Sequence, residues 1–162
     1  MASREGHDQI TGYLQSLGGP ARGELAGLLR FGWHRDVEVT DGPTSPGQRV
    51  DQMFCSALPV AYGRVAAQHW QAFAQLVLDA AYEATLLAAA LNHRRGGSNT
   101  VLLTQLGGGA FGNAMHWISA AIERALDKAS AHGLDVRLVS YGAPSDELKM
   151  LVARYREAIA GR

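Results

Sequence analysis

The sequence predicts an α/β fold, a three-layer α/β/α sandwich with helices on both faces of a mostly parallel mixed sheet. Three observations carry the prediction. From residue 50 onward, strand-like and helix-like patterns alternate, strand then helix three times over; such alternation implies parallel strands joined by crossover helices. The segment 100–106, TVLLTQL, is an almost unbroken apolar run, as expected of a strand buried inside a parallel sheet. Finally, 47% of the 162 residues are apolar and 19% charged, a composition that buries a core rather than staying disordered. The chain divides into an N-terminal helical segment with a strand and a loop, residues 1–48, and an α/β core, residues 49–162.

Taken in order, Ile10, Leu14 and Leu17 form one face of a short helix ended by Gly18, Gly19 and Pro20, and a further helical turn or two runs through Glu24, Leu25 and Leu28. The period then changes to two: Leu29, Phe31, Trp33, Val37 and Val39 alternate with polar residues, a strand or hairpin arm with one wet face. Residues 41–47, DGPTSPG, are a loop. Residues 50–58 form a strand ended by Pro59. A long helix follows over residues 67–92, with Trp70, Phe73, Val77, Ala81, Ala84, Ala88 and Leu91 on its packing face and Gln71, Gln75, Asp79 and Glu83 on the other. Beyond the apolar strand at 100–106, Asn113 is the expected N-cap of a helix whose core face is Ile118, Ala121, Ile122, Ala125 and Ala129, stopped by Gly133. Residues 135–141, DVRLVSY, make the next strand. Ser145 caps a last helix with Asp146 and Glu147 in its first turn and Leu148, Leu151, Val152, Tyr155 and Ile159 as its buried stripe.

Several function classes drop out on composition. Fifteen basic residues balance fifteen acidic ones, so there is no charge excess to support a nucleic-acid interface. One cysteine, Cys55, excludes an internal disulfide and a multi-cysteine zinc site. The N-terminal residues lack the apolar core of a secretory signal, and the most apolar stretch, 76–91, is broken by Asp79 and Glu83, so no membrane span is expected. The chain reads as cytoplasmic. Six histidines, at 7, 34, 69, 93, 116 and 132, show no i, i+4 metal-ligand spacing.

The glycines carry the functional signal. There are 19, well above the usual share of ~7%, and the densest cluster is residues 107–113, GGGAFGN, at the carboxyl end of one predicted strand and the start of a helix. Ligands of open α/β sheets sit at that end. Glycines Gly107, Gly108, Gly109 and Gly112 let main-chain N–H groups approach a ligand without a Cβ in the way, and a helix start adds unpaired donors and partial positive charge. Together they describe a site for a phosphate or diphosphate; the alternative is a tight strand-to-helix connection that binds nothing. No lysine lies in the loop, which excludes Walker A chemistry. Gly107, Gly109 and Gly112 also spell G-x-G-x-x-G, but the next strand has its acid, Asp135, at the wrong end for a ribose.

Across residues 50–141 the sequence resembles the macro domain, an ADP-ribose-binding α/β module. The resemblance rests on VDQMFCSALPVAY (50–62), on the Ala-Tyr-x-x-x-Leu pattern within AAYEATLLAA (80–89), on the GGGAFGN loop and on DVRLVSY (135–141), and it is closest to a divergent bacterial-type branch of that family. It implies that Gly107, Gly108, Gly109, Ala110, Phe111, Gly112 and Asn113 wrap the diphosphate and distal ribose of ADP-ribose through main-chain N–H groups. It implies too that Phe111 covers that ribose and Tyr141 lies against adenine. The ligand would be ADP-ribose, free or attached to a modified protein, with no cofactor. The chain departs from the family at the N-terminal side. An asparagine-rich first loop is missing from residues 1–50, and the first asparagine is Asn92; the first part of the fold is either replaced or belongs to a longer ancestral protein. ADP-ribosyl hydrolysis is therefore left open beside simple binding.

Other readings stay on the table: a Rossmann-type NAD-binding domain, or a ligand-free scaffold remnant whose exposed sheet edge pairs with another chain. For catalysis, the densest titratable stretch is His34, Arg35, Asp36, Glu38 and Asp41; Asp36 or Glu38 would orient a water at the distal ribose if that strand edges the cleft, and otherwise form an ordinary solvated strand face. Cys55 reads as a small buried hydrophobe.

Overall fold

The computed structural model describes residues 3–40 and 47–161; the predicted loop position Asp41 and its neighbours to Pro46 lie outside them. The chain is mixed α/β. Helices α1 (Arg4–Ser16) and α2 (Gly19–Gly27) precede an antiparallel pair, β1 (Gly32–Glu38) and β2 (Arg49–Phe54). A single 3-10 turn at Val60–Tyr62 leads into α3 (Ala67–Arg94). There follow β3 (Thr100–Leu103), α4 (Met115–Ala129), β4 (Asp135–Leu138) and α5 (Asp146–Ala160).

The predicted element order from residue 50 is observed, but the single sheet is not. β1 pairs with β2, β3 pairs with β4 in parallel, and among the described residues no ladder joins the two pairs. Among the described residues the outer face of the β3–β4 pair is left open. Val101 and Leu103 are buried toward the helices, whereas Leu102, opposite Arg137 in the register, is 65% exposed on the other face. The apolar run 100–106 thus marks a strand buried on one face only, and its far end, Thr104 to Leu106, leaves the ladder to begin the glycine loop.

α3 is the centre of the molecule. α1, α2, α4 and both β2 and β3 pack around it, so its middle is buried nearly all round, Asp79 included. This corrects the expectation of a wet face through Gln75, Asp79 and Glu83: that side faces α4. There the Gln75 side chain donates to Asp79 (2.8 Å), Arg124 lies 3.7 Å from Asp79, and Glu83 is bridged by Arg124 and Lys128. Burial pushes the Asp79 carboxyl above its ordinary range, only partly offset by the Gln75 hydrogen bond and the Arg124 charge. Length and apolarity alone would let α3 cross a membrane, but it is the core helix of this fold. Leu78 and Leu86 of α3, with Ile118, Ile122 and Leu151, are the most deeply buried large side chains among the described residues, each contributing about 1.5–3 kcal/mol.

The caps and stops fall where the residue chemistry puts them, with one exception. Ser145 Oγ accepts from the Leu148 N–H at the start of α5, and Gly133 takes a left-handed φ of 63° after α4. Leu148 and Leu151 bury the α5 stripe, but Ile159 is exposed. The exception is Asn113. It does not cap α4; that helix starts after Ala114 with no side-chain cap.

Candidate functional site

The glycine loop lies where two strand ends meet. Past β2, the chain through Ala57, Leu58 and Ala61 packs against the loop that follows β3. The Ala61 N–H donates to the Phe111 carbonyl (2.9 Å), and Asn113 Nδ2 donates to the Leu58 carbonyl (2.8 Å). Asn113 is 4% exposed. Its inward turn staples the two segments together and leaves the α4 start without a side-chain cap; the Trp117 N–H turns back to the Ala114 carbonyl instead.

Two of the loop glycines are required by the loop itself. Gly107 has φ 76°, and a Cβ there would collide with that of Ala57 and stand 2.7 Å from Asn113 Nδ2; Gly112 has φ 70°, and a Cβ would approach that of Ala61 to 2.8 Å. At Gly108 the nearest atom is Ile118 Cδ1 at 3.1 Å. Gly109 alone meets nothing within 4 Å. Within the loop the N–H groups of Gly108, Gly112 and Asn113 donate to Gln105, Gly109 and Gly107 carbonyls. The N–H groups of Gly109, Ala110 and Phe111, three in succession, have no partner among the described residues, and Gly109 and Ala110 are exposed.

Aromatic side chains flank this stretch. Tyr62, 58% exposed, meets Phe111 edge-on at 5.6 Å between ring centres. Tyr141 is fully exposed just past β4. Because Leu103 and Leu138 are in register in a parallel pair, the chain segments holding Gly107 and Tyr141 leave the same end of the pair. Tyr82 fixes the loop from below: its hydroxyl donates to the Thr104 carbonyl (2.7 Å) and accepts from the Leu106 N–H (2.8 Å). Burial drives its pKa up to about 12, so it remains a neutral donor at physiological pH.

Asp36 and Glu38 are not brought to the loop. Asp36 sits in a β-bulge of β1 with φ 54°, ion-paired to Arg49 at 2.8 Å, and Glu38 is in register with Arg49. Arg49 opens β2, whereas the glycine loop meets the chain beyond the other end of β2; the two ends are roughly 17–20 Å apart for a six-residue strand. Cys55, half-buried, lies 3.9 Å from the Thr85 hydroxyl, and burial raises its thiol pKa, the setting of an unreactive thiol. Asp135, at the start of β4, is paired with Arg137 at 2.6 Å. Among the described residues no group of His, Cys, Asp and Glu has the arrangement of a metal site.

Two cavities of the fold do not include residues 107–113. One lies between β2 and β3 and the other beside α5 and β4. The residues that sequence reasoning missed are Ala57, Ala61, Tyr62 and Tyr82. Their signal was the small-residue spacing of SALPVAY: alanines stand where glycines of the facing loop come closest. No family model, curated protein or solved structure matches the chain.

Proposed function

We propose that the chain binds ADP-ribose or a related nucleotide diphosphate, free or on a modified protein, in the manner of a macro domain. The observation that carries the reading is the run of three unpartnered main-chain N–H groups at Gly109, Ala110 and Phe111, next to an uncapped helix start. Successive free amides attract paired phosphates. Phe111 with Tyr62 offers a flat surface for a ribose, and Tyr141 one for adenine. Binding is assigned without hydrolysis, since Asp36 and Glu38 lie at the far end of β2. NAD recognition of the Rossmann kind is disfavoured by Asp135, which opens β4 rather than ending it. The proposed setting is cytoplasmic, with no cofactor.

Calorimetric titration with ADP-ribose, NAD and AMP separates the readings. Saturable heat with ADP-ribose, abolished by Gly109→Glu, supports the proposal. Preference for NAD supports a dinucleotide domain. No heat with any of them supports the ligand-free scaffold, a reading favoured by one observation: packing alone accounts for Gly107 and Gly112.

A further inference from the structure

Between β2 and β3 runs a cavity of about 830 Å³, lined along one side by residues of β2 from Arg49 to Phe54 and along the other by residues of β3 from Thr100 to Leu103. Among the described residues each strand is hydrogen-bonded on its other edge only. The parity of the ladders tells which main-chain groups face the gap. The Gln48 carbonyl accepts from Val39 on the β1 side, so alternation turns the N–H and C=O of Asp51 and Met53 away from β1. The Asn99 and Leu103 carbonyls accept from β4 and its extension, so those of Leu102 turn the opposite way. Unspent donors and acceptors therefore confront each other across the gap.

The two strands also run in the same direction. Near the start of β2, Asp51 accepts from the Trp33 indole (2.9 Å), and the Trp33 ring lies under Arg95, just ahead of β3. Past the end of β2, Cys55 approaches Thr85 and Ala57 meets Gly107, while Tyr82, three residues before Thr85, holds Thr104 and Leu106. The floor is the small-residue side of α3: Ala81, Thr85, Ala88 and Ala89. On the outer face Phe54 (60% exposed) and Leu102 (65%) stand on either side.

We infer that this gap receives one extended strand of another polypeptide, which fuses the two pairs into a five-stranded sheet. Only an extended backbone presents N–H and C=O groups to both sides at once. The length of β2, six residues from Arg49 to Phe54, sets a segment of about six residues, at ~3.3 Å each. The small floor calls for aliphatic or β-branched side chains at alternate positions, and the residues between them meet Phe54 and Leu102. The inference is independent of the nucleotide reading, because it uses main-chain edges and not the glycine loop.

The test is selection of random ten-residue displayed peptides on the full chain, followed by synthesis of the recovered sequences. Expected are sequences with apolar residues at alternate positions that slow amide exchange at Asp51, Met53 and Leu102. N-methylation of the peptide at alternate residues should weaken binding about tenfold or more, the loss of one or two main-chain hydrogen bonds. Ala89→Phe, which fills the floor, should do the same; the N-methyl series stands even if that variant folds poorly. Recovery of no binding peptide, protection elsewhere, or indifference to N-methylation overturns the inference. So does a dimer in sedimentation whose Asp51, Met53 and Leu102 amides are already protected, which would make the occupant a second copy.

Discussion

Gly107 and Gly109 stand two residues apart in one loop, and the structure gives them opposite reasons for lacking a side chain. Replacing Gly107 by alanine forces a non-glycine residue to φ 76°, at a cost of roughly 1–2 kcal/mol. It also drives a methyl group into Ala57 and Asn113, where overpacking costs about 1–3 kcal/mol. The expected destabilisation is therefore about 2–5 kcal/mol, a large part of a typical domain's 5–15 kcal/mol. Alanine at Gly109 meets nothing within 4 Å and needs no left-handed backbone, so stability should stay within about 0.5 kcal/mol. Yet a Cβ there stands beside the free amides, and ADP-ribose affinity should fall about tenfold, the loss expected when one charge-assisted hydrogen bond is obstructed. Urea unfolding of both variants at constant m-value, with parallel ligand titrations, checks this. Equal destabilisation by the two changes, or a Gly107→Ala variant as stable as the parent, would refute the assignment of separate roles.

Other expectations follow from the same contacts. Tyr82→Phe removes the hydroxyl that links Thr104 and Leu106; denaturant midpoints should show a loss of about 1–3 kcal/mol. In the parent chain, the Tyr82 pKa of about 12 lies above its unfolded value, so the folded state holds the proton longer and stability falls as pH rises from the ordinary tyrosine range toward 12. Thermal melts at alkaline pH should show that fall reduced in the variant. Asp79 obeys the same sign at the acid side: its carboxyl pKa is raised by burial, so stability declines as pH climbs from the unfolded-state pKa through the folded one. Asp79→Asn should flatten that decline and raise the melting temperature at neutral pH. Asp36→Ala and Glu38→Ala should leave ADP-ribose affinity unchanged in calorimetry, since neither side chain reaches the loop; a tenfold loss in either would place β1 at the site.

Element positions were legible because their signals are local. The alternation from Phe31 to Val39, the Ser145 cap, the Gly133 stop and the α4 face through Ile118, Ala121 and Ile122 each depend on residues within a turn or two. Sheet pairing was not legible. The apolar pattern of β2 and β3 marks each as a strand but does not say whether they are neighbours, and here a gap lies between them. Asp79 was misjudged because periodicity assumes one wet face, whereas the middle of α3 is packed on most sides and what it exposes includes Leu87 and Leu91 rather than Asp79. Asn113 has the chemistry of a cap, but a long-range partner, the Leu58 carbonyl across the loop, which also accepts from the Val60 N–H, took its amide instead. The clustering of the glycines was readable. Their division into structural positions and one open position required the neighbours Ala57 and Ala61, which lie some fifty residues away in sequence.

Main-chain amide resonances of the isotope-labelled chain, followed as ADP-ribose is added, test the diphosphate site at the glycine loop. Saturable, concerted shifts are expected at Gly109, Ala110 and Phe111, with smaller changes at Tyr62 and Tyr141, and none of them in Gly109→Glu. Silent resonances across residues 107–113 at saturating ligand, or shifts confined to another part of the fold, would rule that site out.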